Sequence, residues 1–208
     1  MITIIDYGAG NLHSVTNAVK RLGYEAKVSS NPDEVIKAEA VILPGVGAAA
    51  DTMANLEEKG LIDPLRQIIA AGLPFFGICL GLQVLLTKTE EGGGHKCLDI
   101  IPGTVRRLPP GMKSPHMGWN QVRQLKAHPL FDGIPDKAYF YFVHSYYADP
   151  EDRAIIAGET EYNLSLCSVL IKDNLIATQF HPEKSGELGL RMYDNFIRFA
   201  TTKNNLAG

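Results

Sequence analysis

Short apolar segments alternate with helical segments through the first half of the sequence, and this alternation limits the fold more than any other feature. We predict buried strands at residues 2–5, 24–28, 40–43 and 73–78. The residues between them carry helical periodicity, which predicts helices over about 12–22 and 80–88 and a further helix that begins at residue 32. A longer helical stretch is predicted over about 49–71, with an interruption near Gly60 and Pro64. Strands that alternate with helices form a parallel sheet with helices on both faces.

Shorter β-type runs dominate the second half and follow one another without intervening helices. These runs lie at residues 103–108, 120–125, 138–143, 154–159, 166–171 and 175–180, and a last helix is predicted over about 185–201. The expected fold class is therefore α/β, with an open, mostly parallel sheet, a partly antiparallel extension and helices on both faces. With 208 residues and no internal repeat, we expect a single domain over residues 1–208.

Composition and charge argue against several classes of protein. The net charge of −3 gives no basic surface for nucleic acid, and no apolar run approaches the ~18 residues of a membrane span. The first residues lack the features of a secretory signal peptide. Three irregularly spaced cysteines, Cys79, Cys97 and Cys167, suit a reducing cytoplasm better than a disulfide framework. Zinc-ligand spacings are missing from the sequence, so we expect no metal.

Two glycine-rich runs are candidates for a nucleotide-binding loop. The run GAG at residues 8–10 follows a predicted strand and opens a predicted helix, as a dinucleotide-binding loop does. The third glycine of such a loop would fall at His13, and the acidic residue would fall near Ser29 or Ser30. We therefore expect no nucleotide cofactor, and a tight functional loop is the alternative. The glycines at 92–94 are expected to form a surface loop, because no strand–loop–helix context surrounds them.

One cysteine stands between two glycines in the run PFFGICLGLQ at residues 74–83. A lone thiol near a turn is often an inert core residue. The pattern Gly-x-Cys-x-Gly at a strand-to-helix junction also resembles the sharp turn that exposes a nucleophile, where glycines give clearance to the adjoining elements. In that case Cys79 is the nucleophile, and the amide of Leu80 can donate to an oxyanion.

A cysteine nucleophile requires a base, and His181 is the histidine with an acid beside it. It ends the predicted strand 175–180, and Glu183 follows after Pro182. Residues i and i+2 of extended backbone share a face, so Glu183 can orient the imidazole. The alternative is an ordinary turn with a surface ion pair. The joint occurrence with Cys79 favours a nucleophile, base and orienting acid for acyl transfer.

The run PGVGA at residues 44–48 follows another parallel strand at its carboxyl end, where open α/β sheets place their sites. Amides of residues 45–47 can complete an oxyanion hole, because glycine allows close approach. The same glycines can serve a tight turn, and the two roles are compatible.

Several of these runs together resemble the class I, triad-type, glutamine amidotransferases. They are PGVGA at 44–48, GICLGLQ at 77–83, HSY at 144–146 and HPEKSG at 181–186. Three further runs resemble the glutaminase subunits of imidazole glycerol phosphate synthases, namely DYGAGNLHSV at 6–15, PHMGWN at 115–120 and YFYFVHSYY at 139–147. The resemblance extends through essentially the whole chain and implies the flavodoxin-like open sheet of that class.

The resemblance implies a role for each matched residue. Cys79 is expected to be the nucleophile, His181 the base and Glu183 the orienting acid, with the amides of Gly47 and Leu80 at the oxyanion. The residues expected around the substrate glutamine are Gly45, Gln83, His144, Ser145 and Tyr146. Those expected at a partner interface are Asn11, Trp119 and Lys184. The resemblance implies no cofactor.

The resemblance also implies a partner, a cyclase subunit with a (β/α)₈ barrel that receives ammonia within a heterodimer. The loops at 8–11 and 184–186 would face this partner, and the glycines at 44–47 would allow a peptide flip that switches the oxyanion hole. A stand-alone γ-glutamyl hydrolase, the glutaminase of another pathway and a non-catalytic regulatory module remain alternatives. Departures from the family pattern are small: Leu82 replaces a common methionine, and Cys97 stands where glycine is expected.

Overall fold

A nine-stranded mixed sheet forms the centre of the molecule. The computed structural model describes residues 1–8 and 11–207, with side chains up to residue 202. The strands are β1 (Ile2–Ile5), β2 (Ala26–Ser29), β3 (Ala40–Leu43), β4 (Phe75–Ile78), β5 (Leu86–Thr89), β6 (His95–Lys96), β7 (Ile101–Arg107), β8 (His116–Gln124), β9 (Ala138–His144), β10 (Tyr146–Pro150), β11 (Ile156–Glu161), β12 (Ser165–Lys172) and β13 (Leu175–Thr178). The helices are α1 (Leu12–Arg21), α2 (Pro32–Ile36), α3 (Ala49–Glu58), α4 (Ile62–Ala70), α5 (Leu80–Gln83) and α6 (Gly186–Ala207).

The order of the large sheet is β2-β1-β3-β4-β13-β12-β11-β8-β9. Its first five strands pair in parallel, and every pairing from β13 outward is antiparallel. The predicted parallel sheet with an antiparallel extension is therefore confirmed. The strands predicted at 24–28 and 73–78 begin two residues later than expected, at Ala26 and Phe75.

A second, four-stranded sheet of order β10-β7-β5-β6 was not predicted. The helix expected over 80–88 ends at Gln83, and Leu86–Thr89 forms β5, which pairs with both β6 and β7. The run at 103–108 was assigned to the extension of the large sheet, but it lies in this second sheet as β7. Strand pairing overrides the weak helical pattern here, because Leu86 is buried in the core and the β-branched residues Thr87 and Thr89 favour extended backbone.

Helices cover both faces of the parallel strands. Side chains of α1 and α6, such as Val19 and Phe196, pack in one buried cluster with Ile4 of β1. Side chains of α3 and α4, such as Leu56 and Leu65, pack in a second cluster with the next residue of β1, Ile5, and with the second sheet. Strands buried on both faces in this way read as continuous apolar runs, which is why the sequence revealed them.

The helical stretch predicted over 49–71 is interrupted as expected, and the break lies at Gly60, between α3 and α4. Gly60, with φ of +65°, ends α3 and allows the turn into α4. Pro64 lies in the first turn of α4, where its missing N–H would have no intrahelical partner in any case. In the part of the chain that the structure describes, no helix is long and apolar enough to span a membrane.

Three glycines allow the turn after β4 to press against the loop after β3. A Cβ atom on Gly81 would lie 2.1 Å from the carbonyl oxygen of Leu43. A Cβ on Gly77 would lie 2.6 Å from the carbonyl oxygen of Gly81, and one on Gly45 would lie 2.6 Å from the amide nitrogen of Gly81. Backbone atoms cannot withdraw from such contacts, so the packing of these two loops requires residues without side chains.

We expect Gly81→Ala to lower the free energy of unfolding by about 3 kcal/mol or more, because the added methyl group overlaps a fixed backbone carbonyl. Urea denaturation followed by circular dichroism measures the loss. Gly23→Ala is the control: Gly23 has φ of +83° but open space around it. Its cost is then only the left-handed backbone, about 1–2 kcal/mol. Equal losses in the two variants would show that steric overlap at Gly81 has no importance.

Candidate active site

Cys79 occupies a sharp turn between β4 and α5. Its backbone has φ of 53° and ψ of −103°, a conformation that is strained for any residue with a side chain. The Cys79 amide donates to the Thr178 carbonyl at 2.7 Å, which ties the turn to the end of the neighbouring strand β13. The side chain is 6% exposed. The expected strand-to-helix elbow is present at this position.

His181 and Glu183 meet at the carboxyl end of β13. Nδ1 of His181 lies 2.8 Å from Oε1 of Glu183, and each side chain is 1% exposed. The contact arises differently from the predicted one. Residues Pro182–Lys184 form a 3₁₀ turn, because the fixed φ of Pro182 favours the start of a helical turn, and the turn carries the carboxylate back to the imidazole.

The charges of this pair follow from its surroundings. Burial disfavours the imidazolium of His181, but the neighbouring Cys79 sulfur and the Glu183 carboxylate outweigh burial and raise the pKa of His181 to about 10. Burial also favours the neutral acid at Glu183, yet His181 and Asn11 together lower the pKa of this carboxyl group. Nε2 of His181 makes no hydrogen bond of normal geometry within the described residues, so it is available for proton transfer.

Two further side chains hold the Glu183 carboxylate. Nδ2 of Asn11 donates to Oε1 at 3.1 Å, and the Tyr193 hydroxyl of α6 lies 3.5 Å from Oε2. Asn11 was expected at a partner interface, and the structure places it beside the acid. The preceding residues of its predicted loop, Ala9 and Gly10, lie outside the described residues. No pattern in the sequence singled out Tyr193.

A cavity of about 350 Å³ opens above Cys79. Eight of the predicted residues line it: Gly47, Cys79, Leu80, Gln83, His144, Ser145, Tyr146 and His181. Gly45 is instead buried against the start of α5 and does not line the cavity. Gly47 has φ of +98°, a left-handed conformation that glycine adopts without strain.

Glu91 supplies a carboxylate to the cavity, which sequence reasoning missed. It begins the 3₁₀ turn Glu91–Gly93 in the hairpin between β5 and β6. Its Oε2 accepts a hydrogen bond from the Ala49 amide at 2.6 Å, two residues after Gly47. The glycines at 92–94 are exposed, as predicted for a surface loop. Within the described residues no cluster of side chains could hold a metal ion.

The predicted interface residues lie outside the cavity. Trp119 is 56% exposed and stands on β8 beside two other exposed apolar side chains, Met117 and Tyr139. Lys184 is exposed in the 3₁₀ turn that also carries Glu183. Gln179, which no sequence motif indicated, donates to the Cys79 sulfur at 3.6 Å.

Comparison with known proteins places these features in a family. The sequence matches glutamine amidotransferase class-I over residues 3–199. It is 56% identical over 200 residues to imidazole glycerol phosphate synthase subunit HisH of Dehalococcoides mccartyi, covering 96% of this chain and 98% of the relative. It is 54% identical over 204 residues to the same subunit of Chloroflexus aurantiacus, covering 96% of each chain.

Solved structures agree on the fold. A crystal structure of glutamine amidotransferase matches with a TM-score of 0.77 at 19% identity, covering 97% of this chain and all of the other. The structure of PurLQS from Thermotoga maritima matches with a TM-score of 0.76 at 15% identity, covering 95% and 97% of the two chains. The chain therefore belongs to the class-I glutamine amidotransferases and, within them, to the family of imidazole glycerol phosphate synthase HisH subunits.

Proposed function

We propose that this chain hydrolyses glutamine to glutamate and ammonia and supplies the ammonia to a cyclase subunit of imidazole glycerol phosphate synthase. The observation that carries the proposal is the meeting of Cys79 with the His181–Glu183 pair at one cavity. The cyclase, a (β/α)₈ barrel, then makes imidazole glycerol phosphate and an aminoimidazole carboxamide ribonucleotide in histidine biosynthesis. A single amidotransferase domain over residues 1–208, acting in the cytoplasm, fits three free, buried cysteines.

Acylation begins when the Cys79 sulfur attacks the side-chain amide carbon of glutamine, while His181 holds the thiol proton. The negative charge then developing on the amide oxygen is stabilised by the backbone amides of Leu80 and Gly47. The C–N bond breaks as the His181 imidazolium gives its proton to the leaving nitrogen, which departs as ammonia. His181 next takes a proton from water, the hydroxide attacks the thioester, and the C–S bond breaks to release glutamate.

The cavity suits an amino-acid substrate. Its volume of about 350 Å³ lies within the range of small-ligand sites. The Glu91 carboxylate offers a partner for the α-ammonium group of glutamine. Gln83 and the segment His144–Ser145–Tyr146 border the remaining wall. The proposal therefore gives the α-ammonium group of the substrate a charged partner and its other polar atoms the polar groups of that wall.

An exposed apolar patch beside the site offers a surface for the partner. Met117, Trp119 and Tyr139, on the paired strands β8 and β9, are each more than half exposed. The amide of His181 donates to the carbonyl of Tyr141 on β9. The strand that carries Tyr139 of the patch is therefore hydrogen-bonded directly to the catalytic base. A cyclase seated here would lie next to the released ammonia.

We expect Cys79→Ala to lower glutamine-dependent synthesis by at least about 10⁴-fold, because the covalent intermediate can no longer form. Synthesis from added ammonium salts should be unchanged in the complex with the cyclase. Cys97→Ala and Cys167→Ala are matched controls. Burial, with Glu91 nearby, raises the pKa of Cys97 to about 11, and burial raises that of Cys167 to about 12, so neither thiol is a nucleophile at neutral pH. Loss of both activities in Cys79→Ala would indicate a damaged fold instead.

The alkaline limit of glutaminase activity should follow His181. The imidazolium must protonate the leaving nitrogen, so activity falls as pH rises through the pKa of His181, about 10. Glu183→Gln removes the charge that favours the imidazolium, and the alkaline limb of kcat/KM should move to lower pH. This variant should retain on the order of tenfold to a hundredfold more activity than His181→Ala. An unmoved alkaline limb would contradict the role of Glu183.

Partner binding should control the glutaminase. We expect the isolated chain to hydrolyse glutamine poorly and the ligand-loaded cyclase to stimulate it strongly, which a titration of the cyclase followed by glutamate production measures. Trp119→Ala should shift the midpoint of this titration by about 30-fold or more, as for a central aromatic residue of an interface. Val28→Ala, an exposed apolar residue on β2, should not shift it.

Full activity from the chain without cyclase would favour a stand-alone hydrolase. A γ-glutamyl peptide offered as substrate then distinguishes a γ-glutamyl hydrolase from a glutaminase. Thiol labelling of Cys79 at low pH tests the third possibility, a regulatory module without catalytic activity, which would show no reactive thiolate.

A further inference from the structure

We propose that a largely buried hydrogen-bond network from strand β8 to the nucleophile fixes the position of the Cys79 sulfur, with Gln179 as the donor to that sulfur and with His116 and His144 as neutral links. The inference rests on the proposed glutaminase function. The triad accounts for proton transfer at Cys79, but it does not explain why a chain of mostly buried polar side chains leads to the same sulfur.

The network ends at Gln179, which is fully buried. Its Nε2 donates to Sγ of Cys79 at 3.6 Å, and its Oε1 accepts from Nε2 of Gln83 at 3.2 Å. The second contact fixes the orientation of the amide, because the reversed amide would place two N–H donors face to face. An amide N–H aimed at the sulfur holds this atom in position as it attacks, since a hydrogen bond to a charged acceptor is stronger than one to a neutral acceptor.

Gln83 is oriented in turn by the backbone. Its Nε2 also donates to the carbonyl oxygen of Tyr146 at 2.8 Å, so both of its N–H bonds are used. A backbone carbonyl accepts only, and its direction is set by strand β10. The Tyr146 carbonyl oxygen therefore orients Gln83, and Gln83 in turn orients Gln179.

The same carbonyl determines the tautomers of two histidines. Nδ1 of His144 lies 2.9 Å from the Tyr146 oxygen, so Nδ1 carries the hydrogen and Nε2 is an acceptor. Nδ1 of His116 lies 3.0 Å from that Nε2 and must therefore donate to it. Nε2 of His116 is then an acceptor, and Nδ2 of Asn120 lies 3.3 Å from it.

Asn120 completes the network at its far end. Its Nδ2 also donates to the carbonyl oxygen of Glu161 at 3.1 Å, and its Oδ1 accepts from the Gln121 amide at 2.8 Å. Each nitrogen that donates in the network thus meets at least one acceptor, and one assignment of hydrogens satisfies these contacts. A network with one solution holds its members more rigidly than one with several.

Burial keeps both histidines neutral. It lowers the pKa of His116 to about 4, and burial together with His116 lowers that of His144 to about 3. The His116 ring is stacked between Phe142 and Tyr162, with centroid distances of 4.8 Å and 3.9 Å. The two histidines therefore link β8 to the Tyr146 carbonyl through fixed hydrogen bonds and do not take up protons near neutral pH.

The first test replaces Gln179 by methionine, which is similar in size but cannot donate. In the complex with the cyclase, we expect Gln179→Met to lower kcat for glutamine by about 10- to 100-fold, the worth of a hydrogen bond to a charged group. KM for glutamine and ammonia-dependent synthesis should change less than about twofold, because Gln179 does not line the cavity. An unchanged kcat in the folded variant would overturn the proposal.

Asn195→Leu is the matched control for a lost buried amide. Nδ2 of Asn195 donates to the carbonyls of Leu130 and Asp132, and none of these three residues belongs to the network. This variant should lose stability, as Gln179→Met does, while its kcat stays that of the wild type. If the proposed function itself were wrong, the wild-type complex would form no product from glutamine, an outcome distinct from failure of the variant.

The second test does not depend on activity. Nitrogen-15 NMR of the wild-type chain labelled at histidine should show both His116 and His144 as neutral Nδ1–H tautomers at about pH 7. His116→Phe preserves the ring stacking but removes the donor, so the Nε2 resonance of His144 should shift and kcat should fall about three- to tenfold. An Nε2–H tautomer at either wild-type histidine would contradict the assignment and, with it, the network.

Discussion

The contact between Gly81 and the carbonyl of Leu43 is the constraint on which the rest of the active site depends. It brings the turn after β4 against the loop after β3, at a separation that no side chain would allow. Cys79 and Gly47 reach the same cavity as a result. The strained backbone of Cys79 persists because the surrounding sheet and the Thr178 carbonyl hold both ends of the turn.

Much of the fold could be predicted from the sequence, because parallel strands buried on both faces leave long apolar signals. Leu86–Thr89 shows the limit: its residues continue a helical pattern, and only the partners β6 and β7 make it a strand. The catalytic candidates were found through motifs with glycine or proline at fixed spacing. Gln179, Tyr193 and Glu91 carry no such marker, since each matters only through a contact between distant parts of the chain.

Three cysteines in one chain illustrate how environment decides the chemistry of a side chain. All three are free and buried. Cys97 and Cys167 lie where burial is the largest of the effects that favour the neutral thiol. Cys79 instead faces an imidazole that is held in its charged form by a carboxylate, and it receives an amide hydrogen bond from Gln179. The neighbouring groups at the strand ends, and not the thiol alone, thus make Cys79 the nucleophile.

The burial of Cys79 has a consequence for chemical inactivation. Only 6% of the residue is exposed, and Cys79 lies in the wall of the cavity of about 350 Å³. A disulfide on the surface of another protein meets little of such a buried residue, so burial limits its exchange with Cys79. A compact electrophile with an ammonium group would find in the same cavity both the Glu91 carboxylate and the Cys79 sulfur. The burial that limits contact between Cys79 and other proteins therefore leaves this thiol open to small mimics of the proposed substrate.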